Sequence, residues 1–572
     1  MKKIVRVNMS DLSIREEEMS KSDFWLGGRG LTTRIVVREV EPGAHPLGPN
    51  NKIVFAPGSL GGTGIPCSGR LSVGAKSPLT GGIKESNAGG MAAQRLSALG
   101  IAALVLEGKP ADGGPYVLWV GKSEARLLPA HNLKGLGNYE LVEQLLDSSK
   151  GAATISIGPA GENCLSAAGV AVTNIEGYPS RFAARGGLGA VMGSKGMKAI
   201  LIEKSESVLP GPADRETFKK IYTQFAREVS NLRKDLAIYG TANLVSLANE
   251  MGGLPTRNYS TGKFEDVDKI HAGSLVEIIN QRGGKMGHPC HPGCVIRCSN
   301  IYNDSNGDYL TSSLEYETIA LLGSNCGISD LDAIATMDRL CDDYGLDTIE
   351  MGATLAVAME AGILEFGDVQ GAIGLLHQVG KGSTVMGRLL GQGVQVAGRV
   401  LGVNRVPAVK GQSMAAYDPR VFKGTGITYA TSPMGADHTA GNLLPGKTGY
   451  SWSTRKGVAR CSQVEGQWLL SEETQVITAV CDITGLCFFI GTTRENMDYV
   501  ARLFNAYYGI EVDRYDVLQW GRQVIMEEKD FNRRAGFAGI HDRLPEFFYT
   551  EPLPPTDEVF DIPDSEIKKV LR

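Results

Sequence analysis

The sequence contains no long apolar run. No stretch reaches the ~20 consecutive apolar residues that a membrane-spanning helix needs. Lys2 and Lys3 stand near the start, but no apolar segment of the length of a signal peptide follows them. These absences argue against a helical membrane protein and against secretion, and they predict a cytoplasmic location.

The sequence also has no excess of positive charge. Lys and Arg number 58 against 63 Asp and Glu, which gives a net charge of −5. Proteins that bind nucleic acid normally carry a basic footprint, so nucleic acid is not an expected partner. The hydrophobic content of 42% and the charged content of 21% are typical of a globular protein with a buried core.

A disulfide framework is not indicated either. Ten cysteines in 572 residues are sparse, and in a reducing compartment clustered cysteines more often bind metals. Six cysteines stand apart from the rest, and we expect each to be a small buried residue: Cys67, Cys164, Cys326, Cys341, Cys461 and Cys481. The other four are candidates for metal ligands.

The length and the local patterns predict an α+β protein. A chain of this size is expected to form roughly three to four domains. Short β-rich runs separated by turn residues recur at 52–56, 103–107, 116–120 and 199–203. From about 206 the apolar spacing changes to the helical period, notably at 244–248, 334–341, 349–359, 497–508 and 515–528.

The predicted division is a β-rich base domain at 1–205, followed by two mainly helical domains at 206–410 and 411–572. The second boundary lies where the helical run gives way to glycine-rich loops.

Three cysteines lie four residues apart in a loop rich in Gly and Pro: Cys290, Cys294 and Cys298. Thiolates are the usual ligands of iron–sulfur clusters, and a [4Fe–4S] cubane needs four. Cys487 is the best candidate for the fourth ligand. Four thiolates also suit a structural zinc ion, although zinc loops usually pair Cys-x2-Cys knuckles. Radical S-adenosylmethionine enzymes use Cys-x3-Cys-x2-Cys, which differs from this loop by one residue.

Two related hexads accompany the cysteines. Residues 342–347 read Asp-Asp-Tyr-Gly-Leu-Asp, and residues 482–487 read Asp-Ile-Thr-Gly-Leu-Cys, so that the second ends in Cys487. One Asp-x-x-Gly segment alone is a common turn. Two copies, one of which ends in a candidate cluster ligand, indicate a shared function. We find no other internal repeat in the sequence.

On these motifs the chain resembles the tungsten-containing aldehyde ferredoxin oxidoreductase family, from about residue 5 to about residue 552. The resemblance implies two pyranopterins on one tungsten or molybdenum ion, together with one [4Fe–4S] cluster. It assigns Asp342, Gly345, Leu346 and Asp347 of the first hexad to one pterin. It assigns Asp482, Gly485 and Leu486 of the second hexad to the other pterin. A carboxylate suits the adjacent N–H donors of a pterin, and Gly allows close backbone approach.

The first gap of the cysteine loop is one residue longer than in the family, which usually has Cys-x2-Cys-x3-Cys.

Three loops in the N-terminal part place Arg or Asn beside small residues, as anion-binding loops do. They contain Arg70, Asn87, and the pair Arg181 and Arg185. The resemblance implies that Arg70, Asn87 and Arg181 bind the pterin phosphates. It also implies a Mg²⁺ ion between those phosphates, held by the backbone carbonyls of Asn87 and Phe182. Ordinary glycine-rich turns with structural salt bridges are the alternative interpretation.

Glu317 and His438 align with the family's residues beside the metal. Aldehyde oxidation releases protons, so an acid–base group is needed there. The resemblance implies conversion of an aldehyde to a carboxylic acid, with electrons passing to ferredoxin or to a partner iron–sulfur subunit.

Two other functions remain open on the sequence. The same cofactor can serve another low-potential reaction, such as reduction of a carboxylic acid or an aromatic thioester. An iron–sulfur subunit without pterin is the second. Some family members join two subunits through an iron held by a Glu-x2-His pair. The matching segment here is Thr336-Met337-Asp338-Arg339, so we do not expect that iron. A homodimer and a hetero-oligomer both remain open.

Overall fold

The structure is a computed structural model that describes residues 2–20, 23, 25–446, 449–450, 458 and 460–572. The N-terminal third contains two six-stranded sheets, and the rest of the described chain is mainly helical. The predicted α+β class is therefore confirmed. None of the described helices is long and apolar enough to cross a membrane.

The first sheet has the strand order β2-β1-β6-β3-β4-β5. Its strands are β1 (Lys3–Asn8), β2 (Ser13–Glu18), β3 (Ile53–Pro57), β4 (Leu71–Lys76), β5 (Ile83–Ala88) and β6 (Ile101–Glu107). Strands β1 and β6 are parallel, and the other neighbours are antiparallel. Helices α1 (Gly28–Glu39) and α2 (Ala92–Ala98) connect strands of this sheet.

The second sheet repeats this topology, with the order β8-β7-β12-β9-β10-β11. Its strands are β7 (Tyr116–Val120), β8 (Ala125–Pro129), β9 (Ala153–Ser156), β10 (Val170–Val172), β11 (Arg181–Ala183) and β12 (Met197–Ile202). Strands β7 and β12 are its parallel pair. Helices α3 (Asn138–Asp147), α4 (Pro159–Glu162) and α5 (Leu188–Ser194) belong to this half.

The base is thus an internal duplication of one strand topology. The sequence analysis found no internal repeat beyond the hexads, and this interpretation was wrong because the two sheets repeat each other in structure. Matching strands share only apolar character, and many apolar sequences satisfy the same pairing. Apolar side chains of both sheets form one common core, including Phe55 and Val73 from the first and Leu118 and Ile155 from the second.

The remaining helices confirm the helical segments predicted from the period. They are α6 (Arg215–Leu232), α7 (Lys234–Tyr239), α8 (Asn243–Met251), α9 (Val267–Ile270), α10 (Ala272–Gln281), α11 (Tyr316–Leu322), α12 (Leu331–Tyr344), α13 (Thr348–Glu360), α14 (Val369–Lys381), α15 (Val385–Leu390), α16 (Val394–Leu401), α17 (Lys423–Thr431), α18 (Gln467–Thr484), α19 (Arg494–Tyr508), α20 (Arg514–Arg534), α21 (Phe547–Thr550) and α22 (Asp564–Ile567). Many begin at an Asp or Thr whose side chain accepts a backbone N–H, as Asp330 does for α12.

Short strands complete the described elements. Strands β13 (Lys285–His288), β14 (Ser299–Asn303) and β15 (Tyr309–Ser312) form an antiparallel sheet around the cysteine loop, which runs between β13 and β14. Two small hairpins follow: β16 (Ala408–Val409) with β17 (Gln412–Ser413), and β18 (Pro445–Gly446) with β19 (Gly449–Tyr450).

Candidate active site and metal centre

One cavity of about 270 Å³ lies where the base meets the helical part. The predicted site residues that line it are Arg70, Arg181, Phe182, Cys290, Cys294, Cys298, Glu317, Asp342, Leu346, His438 and Cys487. The others, which do not line it, are Asn87, Arg185, Gly345, Asp347, Asp482, Gly485 and Leu486. Residues more than 400 positions apart in the chain thus meet around one space.

Both hexads are helix ends. Helix α12 ends at Gly345 with φ 74°, and α18 ends at Gly485 with φ 79°. This left-handed conformation favours glycine and closes a helix C-terminus. The next residue then folds back, since Leu346 N donates to Cys341 O (2.8 Å) and Leu486 N donates to Cys481 O (3.0 Å). The Gly of each hexad is therefore required by the helix stop.

Each hexad packs on one half of the duplicated base through a pair of glycines. A Cβ atom on Gly345 would lie 2.7 Å from the backbone N of Gly158, which follows strand β9. A Cβ atom on Gly485 would lie 2.9 Å from Cα of Gly58, which follows β3, the matching strand of the first sheet. The two hexads therefore occupy equivalent positions on the two halves.

The carboxyl group of Asp342 is buried beside the second half of the base. Tyr139 OH donates to its Oδ2 at 3.4 Å, and Asn138 Nδ2 donates to its backbone carbonyl at 2.8 Å. Burial and the nearby Asp338 raise the pKa of Asp342 well above its usual range. A ligand with N–H donors would supply the hydrogen bonds that favour the charged form.

The carboxylate of Asp482 has more hydrogen-bond and ion-pair partners than that of Asp342. Asn87 Nδ2 donates to its Oδ1 at 2.9 Å, and Arg29 Nη1 donates to its Oδ2 at 3.3 Å. Arg29 also forms a two-pronged ion pair with the fully buried Glu528, at 2.9 and 2.7 Å. The sequence analysis missed Arg29 and Glu528, because they lie 499 positions apart and no local motif marks them.

The last residue of the first hexad has a structural partner already. Asp347 caps α13 by accepting the N–H of Ile349 at 3.0 Å, and its Oδ2 lies 3.4 Å from Arg185 Nε. Its predicted role toward the pterin stays a prediction. Leu346 and Leu486, the fifth residues of the hexads, are both buried.

The four candidate cluster cysteines come together. The ligand atoms of Cys290, His291 and Cys294 lie within 4.8 Å of one another, and Cys298 and Cys487 line the same cavity. Burial, with Glu315 and the other thiols, raises the pKa of Cys298 well above its usual range. Burial likewise raises the pKa of Cys487 to about 11.

This donor set fits an iron–sulfur cluster. Cys487 is buried and the other three cysteines are half-buried, and all four thiols have raised pKa values. Such thiols are costly to ionise alone, and metal coordination supplies the compensating charge. The imidazole of His291 is fully buried, and its Nε2 has no hydrogen-bond partner in the described part of the chain. His291 was not predicted as a site residue. With two neighbouring cysteines it keeps a zinc site open on geometry alone.

Arg70 lies between the cluster cysteines and the second hexad. Its Nε donates to Asn87 Oδ1 at 2.6 Å, and its Nη2 donates to the Asn87 carbonyl at 3.2 Å. Burial would lower the pKa of Arg70, but Cys487, Cys290 and Asp482 together raise it. The Asn87 carbonyl, one proposed Mg²⁺ ligand, is thus already shared with a guanidinium.

Arg181 reaches into the cavity from strand β11. Its Nη1 donates to Ser299 Oγ at 2.8 Å, and its Nη2 contacts His288 Nδ1 at 3.1 Å. Its Nε is buried, and no described residue accepts a hydrogen bond from it, so one donor remains for a ligand. Phe182, the other residue implied for Mg²⁺, also lines the cavity.

Arg185 directs its donors to protein groups instead. Nη1 donates to the Ala436 carbonyl at 2.8 Å, and Nη2 donates to the Ser413 carbonyl at 2.6 Å. This buried side chain therefore ties the base to the loop that carries His438.

Glu317 and His438 face each other across the cavity. The distance from Glu317 Oε1 to His438 Nε2 is 3.7 Å, while Glu317 Oε2 accepts the Ala416 N–H at 2.7 Å. Within the part of the chain that the structure describes, Glu317 Oε1 and His438 Nδ1 have no hydrogen-bond partner. Burial raises the pKa of Glu317 to about 8 and lowers the pKa of His438 to about 4. At neutral pH both side chains are uncharged.

Asp437 and Lys84 fix the His438 loop. Lys84 forms a buried ion pair with Asp437, and Arg185 Nη1 lies 4.0 Å from the same carboxylate. Burial would raise the pKa of Asp437, but these two cations hold it well below its usual range. Asp437 also accepts the Thr439 N–H at 2.9 Å. No sequence motif links Lys84 with Asp437, so this support was missed.

Three uncharged residues complete the wall around the acid–base pair: Tyr316, Tyr417 and Asn442. The rings of Tyr316 and Tyr417 lie 5.2 Å apart, and Tyr417 lies 6.3 Å from the His438 ring. We call Tyr316, Glu317, Tyr417, His438 and Asn442 the acid–base wall. Tyr316 directly precedes Glu317, and Asn442 follows His438 by four positions. This closeness in the sequence was the only sequence signal for the wall.

Comparison with known families gives matches over nearly the whole chain. Residues 4–204 match the model described as aldehyde ferredoxin oxidoreductase, N-terminal domain. Residues 216–572 match the one for domains 2 and 3 of the same family. A Pyrococcus horikoshii protein named tungsten-containing aldehyde ferredoxin oxidoreductase is 34% identical over 581 residues, covering 96% of this chain and 92% of its own.

Two further relatives show the range of the similarity. An aliphatic sulfonate oxidoreductase, WOR-like subunit, of Pyrococcus furiosus is 28% identical over 495 residues, covering 78% of this chain and 76% of its own. Among solved structures, the active-site complex BamBC of benzoyl coenzyme A reductase matches with a TM-score of 0.83 at 18% identity. That match covers 99% of this chain and 92% of the other. It shows the same fold.

Proposed function

The chain belongs to the aldehyde ferredoxin oxidoreductase family, and we propose that it oxidises an aldehyde to a carboxylic acid. It is an enzyme of the oxidoreductase class, in a family whose cofactor is a tungsten pterin. The observation that carries the proposal is the shared cavity. The acid–base wall and the four candidate cluster cysteines line the same space.

The hexads and the basic loops suit two pterins. Asp342 and Asp482 offer buried carboxyl oxygens, one on each half of the base. Arg181 has a buried Nε for which the described residues supply no partner, and the backbone N of Arg70 donates to the carbonyl of Gly485 in the second hexad. These groups would hold the pterin rings and phosphates, and the carbonyls of Asn87 and Phe182 would hold a Mg²⁺ ion. Cys290, Cys294, Cys298 and Cys487 would hold a [4Fe–4S] cluster.

When bound, the tungsten centre supplies the two-electron oxidant and the cluster a one-electron carrier. The overall reaction joins an aldehyde and a water to give a carboxylic acid, two protons and two electrons. The electrons leave to ferredoxin or a partner iron–sulfur subunit. Both protons need an acceptor close to the reacting carbon.

Glu317 and His438 are the groups of this chain that can accept those protons. Burial raises the pKa of Glu317 to about 8, so its ionised carboxylate is a stronger base than an ordinary carboxylate. His438 Nε2 lies 3.7 Å away and can pass or receive a proton after a small movement of either side chain. Asp437, anchored by Lys84, restricts the orientation of His438.

The proposal is tested with anaerobically purified holoenzyme, short and aromatic aldehydes, and a viologen dye as electron acceptor. We expect aldehyde-dependent dye reduction and formation of the matching acid. Protein with full tungsten and iron content that reduces a carboxylic acid or an aromatic thioester with reduced viologen, but oxidises none of the aldehydes, would overturn it.

A further inference from the structure

Asn442 is a buried polar residue in the acid–base wall that the mechanism above does not use. Its side chain lines the cavity, and only 2% of the residue is exposed. Its Oδ1 atom has no hydrogen-bond partner among the described residues. Burying a carbonyl oxygen without a partner costs free energy, so such an atom in a cavity calls for a donor from a ligand.

The amide also interacts with a neighbouring aromatic side chain. The interaction with Asn442 opposes the rise in the pKa of Tyr417 that burial causes. An amide oxygen can only accept hydrogen bonds, and among the described residues none donates to Asn442 Oδ1, so this oxygen is available to a donor on a ligand. Tyr417 is itself buried and packs beside Tyr316 and His438. The acceptor is therefore held in place by a rigid aromatic neighbour.

The surrounding wall carries no net charge at neutral pH. Glu317 is protonated and His438 is neutral, as derived above. Two cations behind the wall, Lys84 and Arg185, are both paired with Asp437. The five residues of the acid–base wall therefore offer no cationic partner to a carboxylate on the substrate. A hydroxyl group would find the Asn442 acceptor.

We propose that Asn442 is a specificity-determining residue that selects uncharged aldehydes bearing a hydroxyl donor over aldehydes of the same shape without one. The inference rests on the proposed function and names its substrate class. A site with a buried acceptor discriminates against a ligand that cannot donate to it, because that ligand leaves the acceptor unpaired. An apolar substituent of the same size also displaces any water that donated a hydrogen bond to the Asn442 oxygen.

The test compares the 2-, 3- and 4-hydroxybenzaldehydes with the corresponding methylbenzaldehydes, which match them in size. For wild-type holoenzyme we expect kcat/KM to favour at least one hydroxy isomer by about tenfold or more. Asn442→Leu removes the acceptor and should bring that ratio close to one. Asn442→Asp keeps a carboxyl acceptor and should retain the preference.

Binding is measured as well, so that failure of the inference differs from failure of the proposed function. Calorimetry gives the Kd of the hydroxy- and methyl-benzyl alcohols for the same holoenzymes, with no turnover required. The inference predicts that Asn442→Leu weakens the hydroxylated alcohol selectively. Equal ratios in wild type and Asn442→Leu, in both assays and at unchanged tungsten and iron content, would overturn it. If Asn442→Leu does not fold, Asn442→Ala takes its place.

Discussion

Oε1 of Glu317 lies 3.7 Å from Nε2 of His438, and burial moves the pKa values of these two side chains in opposite directions. The carboxyl group keeps its proton to about pH 8, and the imidazole stays neutral down to about pH 4. Between those limits the pair carries one exchangeable proton and no net charge, which suits two buried side chains.

This pairing predicts a pH dependence. The base form of Glu317 is its carboxylate, and the ionised fraction grows as pH rises through about 8. The rate of aldehyde oxidation should therefore increase with pH across that region. Glu317→Gln cannot ionise, so the transition should disappear and kcat should fall by about 10²–10⁴. Stopped-flow dye reduction between pH 6 and 10 checks this, and a transition that persists in Glu317→Gln would assign it to another group.

The cysteine assignment predicts a selective loss of cluster. Cys294→Ala should abolish or strongly change the electron paramagnetic resonance signal of the reduced cluster, and iron content should fall. The matched control is Cys326→Ala. Cys326 is buried, and its thiol forms hydrogen bonds only with backbone carbonyls in the described structure. That variant should keep both signal and iron. An unchanged signal in Cys294→Ala would remove this residue from the ligand set.

The hexad carboxyls should be needed for pterin. Asp342→Asn and Asp482→Asn each replace an ionisable acceptor by a neutral amide, which should weaken pterin binding by about tenfold or more per lost charge-assisted bond. Asp343→Asn is the control from the same hexad, because Asp343 instead accepts the Tyr139 N–H at 3.1 Å. Pterin is extracted, oxidised and measured by fluorescence. Full pterin content in both hexad variants would reject their role.

The glycine contacts predict a difference in stability. Gly345→Ala forces alanine to φ 74° and places its Cβ 2.7 Å from a backbone N of the base. The free energy of unfolding should fall by at least about 2 kcal/mol. Gly362 also has a positive φ, of 76°, but nothing lies within 4 Å of an added Cβ. Gly362→Ala should therefore cost only about 1 kcal/mol.

Denaturant unfolding of the matched pair measures this contrast. An equal loss of unfolding free energy in Gly345→Ala and Gly362→Ala would mean that the close contact between the hexad and the base adds nothing to the cost of the Gly345 substitution.

Local sequence patterns were enough to predict several helices and to identify the hexads. Period 3.6 marked α12, α13, α19 and α20. Helix α18 was not among the predicted segments, and only the structure shows that the Gly of each hexad ends a helix. The cysteine loop was visible because its three thiols are close in sequence. These features follow from rules that act over a few residues.

Features set by tertiary contact were not visible. Arg29 meets Glu528, and Lys84 meets Asp437, only after the chain has folded, at separations of 499 and 353 positions. The duplication of the base escaped detection since strand order leaves no local trace. The role of Asn442 became apparent only from its place beside Tyr417 and from its oxygen, which has no donor in the described structure.

The central claim is that the four cysteines hold a [4Fe–4S] cluster beside a tungsten or molybdenum bis-pyranopterin. Metal and pterin analysis of anaerobically purified, folded protein tests it most directly. The account predicts about four iron atoms and one tungsten or molybdenum per chain, with pterin present. Folded protein that contains neither tungsten nor molybdenum and no pterin, or that contains zinc in place of iron, would contradict it.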